Sequence, residues 1–227
     1  MCDKVPSGSF VLCDLALVVL LACAGQSALA AGPLRPQISA YNNSAAIDTN
    51  GTHRVCGSDA DFQLATGRPT SASTPVPVAI TGAFIKIAVG HAHNLALRSD
   101  GSLWSWGMNE SGQLGDGSRV NRSVPLRIGS GFVAIAAGRG WGTGTSFALT
   151  ADGALWGWGA NMSGELGIGT LIDRTTPVLI GTAYAAVAPG GTHTVAIKTD
   201  GSLWTWGANH EGQLGTGTAD NFVVPRP

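Results

Sequence analysis

The chain has 227 residues, of which 13 are Lys or Arg and 14 are Asp or Glu, so that only 12% are charged, about half the usual share. This composition excludes a highly charged disordered chain, and the near-neutral balance with singly scattered arginines argues against holding nucleic acid through a basic surface. The 33 Gly and 11 Pro follow no collagen period, so the glycines serve turns, while 7 Trp against 2 Tyr mark an unusual aromatic choice.

Leu15 to Ala24 is an unbroken apolar stretch, too short for a membrane span and suited to the hydrophobic region of a secretory signal. Ala28 and Ala30 are small where signal peptidase requires it, so residues 1–30 read as a signal peptide cleaved after Ala30, with 31–227 as the exported domain. Leu20-Leu21-Ala22-Cys23 offers an alternative, a bacterial lipoprotein lipidated at Cys23. The expected location is secreted, periplasmic or at the cell surface. Beyond the N-terminus no apolar run approaches the roughly 20 residues of a spanning helix. Cys2, Cys13 and Cys23 lie in the leader, which leaves Cys56 with no internal disulfide partner and no Cys-based zinc site.

The rest of the chain repeats itself. Asp100 to Gly117 reads DGSLWSWGMNESGQLGDG, Asp152 to Gly169 reads DGALWGWGANMSGELGIG and Asp200 to Gly217 reads DGSLWTWGANHEGQLGTG, spaced by 52 and 48 residues. A β-like apolar segment precedes each copy, and Pro125, Pro177 and Pro225 follow at a fixed offset. A decayed copy stands in front, with Asn50-Gly51 for Asp-Gly, Cys56-Gly57 for Trp-Gly and Gln63 to Gly67 for the Gln-Leu-Gly loop. The units run over about 32–77, 78–125, 126–177 and 178–225. A period near 50 without helical signal predicts an all-β sheet array such as a propeller. His93 to Leu97 alternates as a strand, Asp100-Gly101 signals a tight hairpin, and Leu103 to Gly107 returns. Trp104 and Trp106 then share one strand face, as do Trp156 with Trp158 and Trp204 with Trp206, and they need cover from a neighbouring sheet. In the loop from Asn109 to Gly117 the recurring glycines permit left-handed backbone angles while Leu114 plugs inward.

The recurring D-G-x-L-W-x-W-G-x-N-x-x-G-x-L-G-x-G, with a Pro about eight residues on, resembles the repeat of the regulator of chromosome condensation family and covers essentially all of 31–227. The resemblance implies a β-propeller of four-stranded antiparallel blades around a central channel, seven-bladed in the family's well-known members. About four repeats are present here, so the ring is incomplete or open, and its unpaired strand edges invite self-association. Trp104, Trp106, Trp156, Trp158, Trp204 and Trp206, with Gly107, Gly159 and Gly207, are the structural residues of the repeat.

Candidate chemistry is sparse. His91, His93 and His193 suggest a metal or acid–base site, but His93 and His193 recur at one repeat position, which Thr145 fills in between, so a strand-to-loop tie is preferred. Asp100, Asp152 and Asp200 form hairpins before Gly, Arg122 and Arg174 are matching local partners for carboxylates or carbonyls, and no Ser-His-Asp set or Gly-x-Ser-x-Gly elbow occurs. No catalytic residue, metal or cofactor is expected. Sequons begin at Asn42, Asn50, Asn109, Asn121 and Asn161, of which Asn109 and Asn161 are explained by the repeat. One departure stands out: between Gly138 and Phe147 the third unit is four residues longer than its counterparts and carries Arg139 and Trp141. An extra Trp in a loop on a rigid scaffold is a candidate binding hot spot, with folding back over the blade as its structural alternative.

The reading is an exported propeller scaffold that binds protein or carbohydrate and performs no catalysis, with no nucleic-acid partner. Guanine-nucleotide exchange on a small GTPase, implied by the resemblance, is the first alternative. The repeat region of a larger secreted enzyme or adhesin is the second.

Overall fold

Each Asp-Gly step turns the chain back on itself. Asp100 Oδ1 accepts the Ser102 N–H at 2.8 Å and Asp200 Oδ1 accepts the Ser202 N–H at 2.9 Å, while Gly101 and Gly201 take φ of +76° and +84°. A computed structural model of the chain describes residues 37–48, 51–78, 82–140 and 144–227. The signal-like leader with Ala30 and Cys23, the Asn50 sequon and Trp141 lie outside the described residues.

Every hairpin belongs to a four-stranded antiparallel sheet. The first contains β1 (Gln37–Ala40), β2 (Asn43–Ile47), β3 (His53–Gly57) and β4 (Ala72–Pro77); the second β5 (Phe84–Val89), β6 (His93–Arg98), β7 (Leu103–Gly107) and β8 (Arg122–Gly129). The third contains β9 (Phe132–Ala137), β10 (Thr145–Thr150), β11 (Leu155–Gly159) and β12 (Arg174–Gly181); the fourth β13 (Tyr184–Pro189), β14 (His193–Lys198), β15 (Leu203–Gly207) and β16 (Phe222–Arg226). Strands pair in sequence order within each sheet. The architecture is therefore all-β, four propeller blades in an open array, as the period predicts.

First strands face the axis. β1 touches β5, β5 touches β9 and β9 touches β13, with the Val89 N–H donating to Ser39 Oγ at 3.0 Å and Lys86 Nζ to the Val133 carbonyl at 2.7 Å. Fourth strands form the rim, where Pro125, Pro177 and Pro225 sit inside β8, β12 and β16. An outer edge strand has a solvent side that needs no N–H, so proline is admissible there. The second and third sheets accordingly continue past these prolines to Gly129 and Gly181.

The core lies between blades. Trp106, Trp158 and Trp206 are fully buried at the three successive joints, whereas Trp104, Trp156 and Trp204, on the same strand faces, are half-buried. Burying one such ring is worth about 4–6 kcal/mol at 150–250 Å². Two of the half-buried rings carry a cation instead: Arg98 lies 4.4 Å over Trp104 and Lys198 3.9 Å over Trp204.

Candidate functional site

Any surface site depends on how the blades are locked, and the lock is the same three times. The Gln63 carbonyl accepts Trp106 Nε1–H at 3.0 Å and Asn94 Nδ2–H at 2.7 Å from the next blade. The Gln113 carbonyl accepts Trp158 Nε1–H at 3.0 Å and the Ser146 hydroxyl at 2.7 Å. The Glu165 carbonyl accepts Trp206 Nε1–H and the Thr194 hydroxyl, both at 2.8 Å. Both lone pairs of a buried oxygen are thus used by the following blade. The side chains of these acceptor residues close their own loops, with Gln113 Oε1 taking the Ser111 N–H at 2.9 Å and Glu165 Oε2 the Ser163 N–H at 2.7 Å. Burial raises the Glu165 carboxyl above its ordinary value.

The loop ahead of each lock is held by one buried amide or carboxylate. Asn109 Oδ1 accepts the Leu114 N–H at 2.9 Å while its Nδ2 reaches the Val120 carbonyl at 3.2 Å; Asn161 and Asn209 serve Leu166 and Leu214 in the same way. Asn109 and Asn161 are fully buried, so these two sequons present no free amide. In the decayed blade Asp59 Oδ1 takes over, accepting the Leu64 N–H at 2.7 Å. There Phe62 and Ala65 adopt φ of +63° and +53° where the other blades have glycine.

The histidines separate. His93 is fully buried, with Nε2 3.0 Å from Ser146 Oγ of the next blade, and burial lowers its pKa to about 4. It is a neutral inter-blade tie. His193 is half-buried and also lowered by burial, and His91 lies in the β5–β6 loop, where it adds a minor lowering at His93. Among the described residues no group of three or more His, Cys, Asp or Glu is placed to hold a metal ion. Arg122 pairs with Asp116 at 2.6 Å; Ile168 stands at that acidic position in the third blade, where Arg174 is the matching residue. His53, which the sequence did not single out, is buried against Phe84 and Trp106 with ring centroids at 5.6 and 5.4 Å.

One place gathers residues from several blades. The β9–β10 loop, lengthened in sequence, lies at the axial mouth: the Arg139 N–H donates to the Gly190 carbonyl of the fourth blade at 3.4 Å, while the Arg139 guanidinium lies 6.0 Å from the Tyr41 ring of the first. Tyr41 in turn packs on His91 of the second blade at 5.6 Å. Arg139 is half-buried, and Tyr41 is exposed. Sequence reasoning found Arg139 but missed Tyr41, which precedes His91 by one repeat length in the decayed copy and carries no motif of its own.

Comparison with known proteins fits this geometry. The model of the regulator of chromosome condensation (RCC1) repeat matches residues 100–145, 152–197 and 200–227, and a second model of that repeat matches 84–113 and 184–213. The chain belongs to the RCC1-repeat family. Its relatives include the ultraviolet-B receptor UVR8 of Arabidopsis thaliana, 37% identical over 60% of this chain and 33% of the relative's length. Another is the mitochondrial RCC1 domain-containing protein RUG3 of the same plant, 36% identical over 54% of this chain and 28% of the relative. Human WBSCR16 superposes with a TM-score of 0.71 at 26% identity, over 82% of this chain and 50% of that one. Yeast RCC1 (Prp20), solved with Kap60, superposes with a TM-score of 0.72 at 25% identity, over 83% and 47%. The RCC1-repeat array here thus spans about a third of these two curated relatives and about half of these two solved propellers.

Proposed function

We propose that this RCC1-repeat array is an exported protein-binding scaffold whose contact surface is the axial mouth around Tyr41, His91 and Arg139, with Trp141, two residues along the sequence from Arg139, as a further candidate contact. The observation that carries this reading is the bridge made by the β9–β10 loop, which joins side chains of the first and second blades to the backbone of the fourth. Elsewhere the repeat residues are consumed by the locks between blades, so variable loops are where specificity can reside. Arg, Tyr and Trp on a rigid frame are the side chains that anchor protein interfaces. The likeness to yeast RCC1, solved in complex with Kap60, supports a protein partner over a glycan. Export rests on the signal-like N-terminus alone.

The test is cross-linking and pull-down from the host's extracellular fluid with the wild-type chain and with Tyr41→Ala and Trp141→Ala variants. Each substitution is expected to weaken partner capture at least tenfold while moving the melting temperature by no more than about 3 °C. Capture unaffected by either, or a purely glycan ligand on the same residues, would refute the protein-binding reading. Retention of the full chain inside the cell, with its N-terminus intact, would refute export.

A further inference from the structure

The third blade keeps the donors for a carboxylate that it does not contain. In the second blade Asp116 Oδ1 accepts Asn109 Nδ2–H at 3.0 Å, the Ser118 N–H at 2.9 Å and the Ser118 hydroxyl at 2.8 Å. Its Oδ2 accepts Nε–H and Nη2–H of Arg122 at 2.8 and 2.6 Å. The third blade has Asn161, Thr170 and Arg174 at the places of Asn109, Ser118 and Arg122, but Ile168 replaces the acid and packs against the joint with the fourth blade. Its donors are left over. Asn161 turns its amide to the Thr170 and Ile172 carbonyls at 2.7 and 3.2 Å, and the Thr170 hydroxyl is buried with no hydrogen-bond partner. Among the described residues no carboxylate pairs with Arg174, which is half-buried. The acid beside it, Asp173, is already taken up by the Asn161 N–H at 3.0 Å and by Arg119 Nη1 at 3.2 Å. The first and fourth blades raise no such demand, because Ala72 and Phe222 stand where Arg122 and Arg174 pair across from glycine.

The same loop exposes apolar side chains. Met162, Leu171 and Ile172 are 74%, 55% and 62% exposed. At these places the second blade has Glu110, Arg119 and Val120, and the fourth has His210, Ala219 and Asp220. The Asn161 amide draws the two ends of the loop together: Met162 follows it directly, and Leu171 lies between the two carbonyls that it binds. Arg174 comes two residues after Ile172, as the first residue of β12.

We infer that the β11–β12 loop of the third blade is a docking site for an acidic segment of a partner protein, in which a carboxylate side chain is flanked by bulky apolar residues. The carboxylate pairs with the Arg174 guanidinium as Asp116 does with Arg122, and the apolar neighbours cover Met162, Leu171 and Ile172. A guanidinium takes a carboxylate through two directed hydrogen bonds, and apolar cover excludes the water that weakens such a pair. The loop lies outside the Tyr41–His91–Arg139 cluster, and neither export nor that cluster enters its test.

The probe is the peptide acetyl-Gly-Asp-Leu-Leu-Phe-Gly-amide, titrated into the full chain and followed by NMR. Methyl resonances of Met162, Leu171 and Ile172 should shift with Kd at or below about 1 mM, and the same peptide with Asn for Asp should bind at least about fivefold more weakly. Arg174→Gln should remove the preference for the acidic peptide and leave the affinity for the Asn peptide unchanged. Ile168→Asp, which supplies the acid from within as the second blade does, should remove the preference as well. Equal affinity for the two peptides would overturn the inference, as would unmoved methyl resonances at about 10 mM peptide, or a preference that survives Arg174→Gln or a folded Ile168→Asp. Should Ile168→Asp fail to fold, Arg174→Gln decides, since it changes a side chain on an outer edge strand. Shifts confined to Tyr41 and His91 would also overturn it, while placing the peptide at the axial mouth.

Discussion

Gly107→Ala probes the turn from β7 into the loop that carries the lock. Gly107 has φ of +100°, and a Cβ placed there would lie 2.5 Å from the Ala92 carbonyl oxygen and 3.0 Å from His93 Cα. Both obstacles are backbone of the paired strand, so neither can rotate away. Holding a non-glycine residue in this region costs about 1–3 kcal/mol, and displacing the strand adds about 1–3 more. A total near 4 kcal/mol is a large part of the 5–15 kcal/mol that stabilises an ordinary domain. The control is Gly201→Ala, where φ is +84° but nothing lies within 4 Å, so that only the backbone cost of about 1–2 kcal/mol remains. Urea unfolding followed by both circular dichroism and Trp fluorescence measures the difference, the two probes also reporting whether the blades unfold together. Equal destabilisation by the two variants would refute the steric argument. The decayed first blade already speaks for it: glycine persists at Gly57, where a Cβ would meet the Asn42 carbonyl oxygen at 2.8 Å, although the preceding Trp has been lost.

Two further outcomes follow from buried titratable groups. His53 and His93 are held neutral by burial, each lowered from 6.5 to about 4, so the unfolded chain binds more protons than the folded one between those values. Their contribution is complete above pH 6.5 and is lost as pH falls toward about 4, at about 3 kcal/mol for each site. Melting temperature measured from pH 7.5 to 4 should fall steeply below 6.5, and a flat profile would contradict the buried, neutral assignment. Glu165 acts in the opposite sense, because its raised pKa means that ionisation opposes folding as pH rises through the carboxylate range. Glu165→Gln, which copies Gln113, should therefore raise the melting temperature at pH 7 and lose that advantage at pH 4; destabilisation at pH 7 would show that the carboxylate has a partner worth more than its burial cost.

The fold was readable because its signals are local. Asp-Gly hairpins, strand alternation and the Trp-x-Trp-Gly step each sit within a few residues, and together they set four blades, including the decayed one through Asn50-Gly51 and Cys56-Gly57. The locks were not readable, since their acceptor is a main-chain carbonyl and their second donor changes from Asn94 to Ser146 to Thr194 without changing its role. Positive φ at Phe62 and Ala65 was hidden for a related reason: packing holds the loop in a shape that glycine favours elsewhere. The axial cluster was half visible. The inserted residues announced the Arg139 loop, but only the closing of first strands around the axis brings Tyr41 and His91 beside it.

The central claim is that an indole of each following blade is buried and bonded to the carbonyl of the blade before it. Hydrogen exchange at the indole Nε1–H groups, resolved by NMR, tests it directly. Trp106, Trp158 and Trp206 should exchange only on global unfolding, and Trp104, Trp156 and Trp204 orders of magnitude faster. Equal, rapid exchange at all six would contradict the account.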